Sequence, residues 1–548
     1  MNLQWVTFLI GTQCLVFGVV WSSDITHLVF SGFTDGMPAA FGDFNSDELT
    51  DVFVLLDNQK TLEILLAYEE EPLLRPAKQE RLRCPFSNSI ITSVVPGDFD
   101  GDALMDVMVT TIHKRTEQDS ELERSLTYVH ILWGGATYLN CSDEEKPIIQ
   151  MIGQPLAFDY NQDLIIDLFG QDEHNNRMFW VFNNTRGPPQ AIPMEDNRSR
   201  AELRRPHAHA FLDLSGDFMS DLFITTKENT AEIWLGSKTP GKFVYNSVNF
   251  KDDNSNLWRF YLKPGSRYTD TITLRSGDFN MDGYPDMLAT LAREGSDYPQ
   301  SFLLENVACK SGCGKFKRSY AINWNALSPF RNGTAMASFF DFYQDGILDC
   351  IIVTYNGKEY HAAAFRNSLD YDANFIKVMV LTGLTNKNNQ MIMGRVGKKR
   401  RTYGTNLPGP LISYKTTTQE GSLRHGISAQ LPQSAHFSLN LPYTTFGLGR
   451  TPNFVDSVTV GLSENHKSWT QIIPNSQMVV IPWPPDQPYK WKAQLFVTPS
   501  KLILMSVAAL TAVCGIITVI IGVLHWKERQ EDKKERLSES HRFHFDAM

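Results

Sequence analysis

Residues 96–110 read PGDFDGDALMDVMVT, with acids at Asp98, Asp100, Asp102 and Asp106. Counting Asp98 as position 1, oxygen-bearing side chains stand at positions 1, 3, 5 and 9, and an apolar, β-branched run follows. The same pattern recurs in FGDFNSDELTDVFVL from Phe41, AFDYNQDLIIDLFG from Ala157, FLDLSGDFMSDLFIT from Phe211, SGDFNMDGYPDMLAT from Ser276 and FFDFYQDGILDCIIV from Phe339. The position-1 residues are Asp43, Asp98, Asp159, Asp213, Asp278 and Asp341, separated by 55, 61, 54, 65 and 63 residues. Self-similarity at such a period is the signature of a repeat architecture.

The spacing has a chemical reading. Calcium takes six to eight oxygen ligands, and side chains at positions 1, 3 and 5 of a tight loop converge on one point. A carbonyl at position 7 and a carboxylate at position 9 would complete the cage. Gly283 and Gly346 at position 6 ease a sharp turn. Without a cation the carboxylates repel, at about 4 kcal/mol per pair for a 4 Å separation and an effective dielectric of about 20. The expected ligands are Asp43, Asn45, Asp47 and Asp51; Asp98, Asp100, Asp102 and Asp106; Asp159, Asn161, Asp163 and Asp167; Asp213, Ser215, Asp217 and Asp221; Asp278, Asn280, Asp282 and Asp286; and Asp341, Asp345 and Asp349. The last copy has Tyr343 at position 3, a poor ligand. An Asx-turn without metal is the alternative for the weaker loops. An EF-hand is excluded: it needs Glu at position 12 and flanking helices, whereas position 12 here is Val54, Val109, Ala289 or Ile352 among strand-forming residues.

Units of this length hold four short strands, and four-stranded units repeated about an axis make a β-propeller. The expected fold is therefore all-β: a propeller over residues 23–370 with six motifs, a β-sandwich over 371–496, and one membrane-spanning helix. The sandwich is read from period-two alternation in HFSLNL, DSVTVGL and SQMVVIPW, and it is a candidate stalk.

Two uncharged apolar segments bear on compartment. Trp5–Trp21, inside residues 1–22, reads as a signal peptide. Leu502–Leu524 is long enough to span a bilayer. Trp526, Lys527 and Arg529 follow it, which places the tail, residues 525–548, in the cytosol. The chain reads as a type I plasma-membrane protein. Formal net charge is −10 over 548 residues, which argues against a nucleic-acid partner. Asn140, Asn183, Asn197 and Asn332 head glycosylation sequons. Disulfide candidates are Cys309 with Cys313 and Cys84 with Cys141; Cys350 reads as a buried thiol. The basic run Lys398–Arg401 is a solvated loop or a processing site that would release the ectodomain.

The Asp loops, preceded by FGDF, PGDF and SGDF, resemble the FG-GAP repeats of integrin α chains. Together with the following β-rich region, the single span and the ending HRFHFDAM, the chain resembles the T-cell immunomodulatory protein family, also called LINKIN. That resemblance implies a seven-bladed propeller, so blade number stands at six or seven. It also implies Ca2+ on the Asp loops, a role in cell adhesion, and cytoskeletal or RuvB-like ATPase partners for the tail.

No G-x-S-x-G, HExxH or P-loop occurs in a supporting context. His207 and His209 lack a carboxylate cage and read as ordinary histidines. The first functional reading is a cell-surface adhesion or recognition protein, not an enzyme, that binds an extracellular protein ligand through its calcium-braced propeller. The second is a shed or secreted ectodomain acting as an immunomodulatory ligand on T cells. The third is a calcium-dependent propeller hydrolase.

Overall fold

The computed structural model describes residues 23–77, 82–113, 126–141, 146–194, 201–213, 217–227, 230–235, 241–244, 250–251, 255–260, 273–296, 298–308, 318–328, 332–367, 374–385, 392–393, 399–400, 403–418, 421–433, 436–449, 454–497 and 501–542. The signal-peptide segment, Asn197, Ser215, Cys309, Cys313, Lys398 and Arg401 lie outside the described residues.

The chain forms two compact units, 1–496 and 497–548. The first is built almost wholly of strands. Each of the six motifs joins two antiparallel strands, and the position-9 aspartate is always the first residue of the second strand: Asp51, Asp106, Asp167, Asp221, Asp286 and Asp349. Register is also constant, because the residue before position 1 pairs with position 9. The pairs are Gly42 with Asp51, Gly97 with Asp106, Phe158 with Asp167, Leu212 with Asp221, Gly277 with Asp286 and Phe340 with Asp349. The second strands are continuous apolar runs such as DVFVLL and DCIIVTY, because both faces are covered by neighbouring units.

Every unit adds further antiparallel strands to its hairpin. The second and third share one seven-stranded sheet, joined where Leu126–Leu132 pairs with Ile149–Phe158. In the sixth, Ser23–Asp24 pairs with Tyr360–Arg366, Ser23 opposite Arg366. The first described strand is thus sealed onto the last unit, which converts a sheet edge into a paired one. Hydrophobic clusters span neighbouring units: Val95, Ile131 and Ile166 for the second and third, Phe169, Leu203 and Leu222 for the third and fourth, and Leu288, Phe339 and Ile352 for the fifth and sixth. Cys84 and Cys141 form a disulfide, and Cys350 is a buried free thiol.

Residues 374–497 form two four-stranded sheets. One orders Thr444–Gly449, Asn374–Val380, Ser476–Ile481 and Lys492–Val497, and contains a parallel pair between Asn374–Val380 and Ser476–Ile481. The other orders Leu423–Ala429, Leu411–Thr417, Val455–Leu462 and Asn465–Ile472. Ile376, Val378, Ile412, Val458, Val460 and Trp491 fill the space between them.

This sandwich is not a detached stalk. Phe437 and Leu439 belong to the same buried cluster as Phe41, Val94, Met105, Met336 and Phe340 of the first, second and sixth units. Leu164 of the third Asp loop enters the sandwich core. Buried Arg275 donates from Nη2 to the Phe437 carbonyl (2.7 Å) and from Nη1 to the Ala337 carbonyl (3.1 Å). The chain reverses repeatedly here, with positive φ at His436, Phe437 and Leu439, so both apolar side chains reach inward while the backbone is held by hydrogen bonds. The alternation in HFSLNL suggested a strand. The structure makes it an irregular segment, because its apolar residues are buried against other units and have no sheet partner.

The second compact unit is one helix, Lys501–Arg542, containing one stretch long and apolar enough to cross a membrane. It continues 18 residues beyond Leu524. The continuation is rich in Glu, Lys and Arg, good helix formers, and Lys527 lies 4.0 Å from Glu531 one turn on.

Candidate functional site: the aspartate loops

The six loops share one backbone design. Position 6 has a left-handed φ in every copy: Glu48 (71°), Ala103 (69°), Leu164 (69°), Phe218 (71°), Gly283 (83°) and Gly346 (77°). Position 4 does the same at Ser46, Gly101, Gln162, Met281 and Gln344. Glycine at position 6 therefore eases a conformation that four copies adopt without it. A non-glycine residue there costs about 1–2 kcal/mol. Glu48→Gly is expected to stabilise the protein by about 0.5–1 kcal/mol after the greater flexibility of unfolded glycine is counted. A rise in the urea midpoint at unchanged slope would register it; a fall would mean the loop is not strained.

This geometry turns backbone N–H groups onto the carboxylates. Oδ2 of the position-1 aspartate accepts the position-6 N–H in all six copies: Glu48 (2.8 Å), Ala103 (2.9 Å), Leu164 (3.0 Å), Phe218 (2.8 Å), Gly283 (2.8 Å) and Gly346 (3.2 Å). Oδ1 of the position-5 aspartate accepts the position-7 N–H in all six, at Leu49, Leu104, Ile165, Met219, Tyr284 and Ile347. Asn45, Asn161 and Asn280 at position 3 accept the N–H of Asp47, Asp163 and Asp282.

Position 9 has a second role that the spacing alone did not reveal. Oδ2 of Asp51, Asp106, Asp167 and Asp286 accepts the position-2 N–H of Phe44, Phe99, Tyr160 and Phe279. Oδ1 of Asp51, Asp106, Asp167, Asp286 and Asp349 accepts an N–H at the end of the third strand, from Ala67, Gly134, Phe182, Asn306 and Asn367, at 2.7–2.8 Å. One carboxylate thus staples the loop to a strand 15 to 28 residues away. The available signal was its invariant place at the head of an apolar strand.

Burial, with repulsion between neighbouring carboxylates, raises the pKa of most position-1 and position-9 acids when no cation is near. Burial, then Asp100, pushes Asp98 up to about 8. Burial raises Asp349 to about 8 and Asp159, Asp167 and Asp286 to about 7. Asp278 and Asp341 rise to about 6, and Asp43, Asp51 and Asp106 rise well above the ordinary carboxylate range, again mainly by burial. Oxygens of Asp98, Asp100 and Asp106 lie within 4.8 Å of one another, all three residues being buried. Oδ1 of Asp159 and Oδ1 of Asp278 are buried without a hydrogen-bond partner. Converging hard oxygens with orphaned lone pairs suit a hard divalent cation.

Among the described residues three loops meet a protein cation; in the fifth, Arg318 Nη2 is 3.5 Å from Asp282 Oδ2. Arg186 Nε is 2.6 Å from Asp100 Oδ2 and its Nη2 is 3.1 Å from Asp102 Oδ2. Lys377 Nζ is 3.6 Å from Asp341 Oδ2. None of the three stood out in the sequence.

His207 and His209 are buried and stacked, with ring centroids 4.0 Å apart. His207 Nε2 donates to the Gln154 carbonyl (2.9 Å), and His209 Nδ1 accepts the Thr225 N–H (3.0 Å). Burial pushes His207 well down and His209 to about 3. Both are neutral core residues. Among the described sequons, Asn183 and Asn332 are exposed and Asn140 is partly so. Lys399–Arg400 pairs with Ile392–Met393.

A β-rich chain with six acidic strand-to-strand loops, a docked sandwich and, among the described residues, a single apolar helix defines a repeat protein with a candidate membrane anchor. Comparison with known proteins gives its kin. The human T-cell immunomodulatory protein is 35% identical over 601 residues, covering 96% of this chain and 94% of that protein. Protein linkin of Caenorhabditis elegans is 26% identical, covering 94% and 95%. The family model described as "ITFG1, C2 domain" matches residues 402–496, within the sandwich. The chain belongs to the T-cell immunomodulatory protein family. Among solved structures, the WD40 domain of Toxoplasma gondii coronin (11% identity, 65% of this chain and 88% of that one, TM-score 0.29) and Trypanosoma rangeli sialidase (11%, 84% and 90%, TM-score 0.28) are loosely similar.

Proposed function

We propose that the six units form an FG-GAP propeller braced by Ca2+ on the Asp loops, carried at the plasma membrane by a type I single-pass glycoprotein that acts in adhesion or cell-surface recognition. The observation that carries this reading is the convergence of Asp98, Asp100 and Asp106 in a backbone frame repeated five more times. Residues of each loop would hold the ion, which supplies the positive charge that lets buried carboxylates ionise. The partner is an extracellular protein. A cavity of about 590 Å3 between the third and fourth units and the sandwich is lined by Phe158, Phe179, Phe211, Trp234 and Leu222 with Asp159. Its described lining is largely aromatic and apolar, which suits recognition of an apolar surface.

The names of the human and mouse relatives favour a second reading, a released ectodomain acting on T cells. Cells expressing the full chain should aggregate, or bind a second cell type, in millimolar calcium and lose this in EGTA. Aggregation indifferent to expression of the chain removes the adhesion reading. Activity on T cells confined to conditioned medium would favour the released form.

A further inference from the structure

The sixth Asp loop differs from the others at position 3 and in the cation it meets: Arg186 and Arg318 meet aspartates at positions 3 and 5 of the second and fifth loops, whereas here a lysine meets position 1. Tyr343 replaces the position-3 oxygen, and its ring lies under the Arg366 guanidinium, 4.5 Å from the centroid. Lys377, on the sandwich strand Asn374–Val380, sends its ammonium to Asp341 Oδ2. Both side chains are shut from solvent, at 2% and 1% exposure. The same Nζ lies 3.7 Å from the centroid of the Tyr443 ring, a second favourable contact for a desolvated cation. Phe375 covers the turn, since a Cβ added to Gly346 would fall 2.3 Å from its ring.

The fifth loop also touches the sandwich but in another way. Asp278 Oδ2 accepts the N–H of Gly447 (2.9 Å) as well as that of Gly283 (2.8 Å). Its Oδ1 is buried without a partner, as is Oδ2 of Asp349 in the sixth loop, so the orphaned oxygen does not separate the two. Position 3 is Asn280, an oxygen donor, and no lysine or arginine ion pair to Asp278 is seen among the described residues; Arg318 reaches only Asp282, at 3.5 Å.

We propose that Lys377 is the resident cation of the sixth loop: an ammonium owned by the sandwich takes the place of the divalent ion, so this junction holds without calcium while the junction at Asp278 depends on it. The proposal rests on the calcium reading above and divides the loops that reading treats alike. A buried ammonium beside Asp341 repels an incoming dication, and the missing position-3 oxygen removes a ligand that would offset the repulsion. Breaking the pair on either side strands a buried charge, so the lysine is also a lock between the two parts of the chain.

Hydrogen–deuterium exchange on the full chain in lipid nanodiscs, with calcium and with EGTA, tests this. Chelation should speed exchange several-fold in 278–286 and 444–449 and leave 341–349 and 375–380 unchanged. Equal acceleration in 341–349 overturns the proposal. Lys377→Met should speed exchange in 341–349 and 375–380 even in calcium, and Tyr343→Asn combined with Lys377→Met should take up one more calcium per chain than wild type by native mass spectrometry. If chelation moves no segment, the calcium reading falls. The lock is then judged by Lys377→Met alone, and unchanged exchange there sinks it. Should the variants fail to fold, the wild-type comparison still decides.

Discussion

Replacing Asp106 by alanine should lower the unfolding free energy by about 3–5 kcal/mol, far more than replacing Asp163. Asp106 is fully buried and receives the N–H of Phe99 (3.0 Å) and of Gly134 (2.7 Å). Truncation leaves both donors unpaired in a site closed to water, at about 1–3 kcal/mol each. It also removes one member of the carboxylate cluster. Asp106→Asn keeps one acceptor and turns an NH2 toward a donor, so it should sit between the two. Asp163, at position 5 of the third loop, is half-buried and accepts the Ile165 N–H and the Asn161 side-chain amide; its loss should cost about 1 kcal/mol. Urea titration in calcium, followed by tryptophan fluorescence, separates them, since Trp133 is buried next to Gly134 at the staple. Equal midpoints for the two alanine variants would mean that the staple bears no load.

The repeat was plain in the sequence because its chemistry is local. Six Asp positions, a fixed spacing and a following apolar run are all that a strand–loop–strand unit requires, and each loop is where the spacing put it. The left-handed turn at position 6 was legible only at Gly283 and Gly346. Glu48, Ala103, Leu164 and Phe218 adopt it because carboxylate-to-backbone bonds on both sides outweigh the local preference. What stayed hidden was long-range. Arg186 reaches Asp100 across 86 residues, and Asp278 meets Gly447 across 169. Lys377 lies in NFIKVMV, where alternation predicts a strand but cannot tell which buried acid one of its residues will face. The sandwich likewise looked like a spacer, because nothing in HFSLNL says that Phe437 and Leu439 pack among residues four hundred positions earlier.

Chelated protein should be more stable near pH 5 than at pH 8, and calcium should reverse the order. Asp98 and Asp349 are raised to about 8, and Asp159, Asp167 and Asp286 to about 7. Unfolded, they titrate near 3.9. Between these limits the folded chain holds more protons than the unfolded one, so stability falls as pH rises through the folded values. His207 and His209 act oppositely: their values are depressed, so the unfolded chain binds more protons below about 6.5 and stability falls as pH drops. At least one raised acid in each of five loops outnumbers two histidines, which puts the optimum on the acid side of neutrality. Binding of a dication needs the carboxylates ionised and therefore releases protons. Each proton released weakens calcium affinity about tenfold per pH unit below the acid's own value. Affinity should thus fall at least tenfold between pH 7.5 and 6.5. Calorimetry in two buffers of different ionisation enthalpy counts the protons, and melting curves at pH 5 and 8 with and without EGTA give the stability order. Stability of the chelated chain that climbs toward pH 8, with no proton released on calcium addition, would mean that the buried aspartates are neutralised by groups within the protein, as Lys377 does for Asp341, and not by a metal ion.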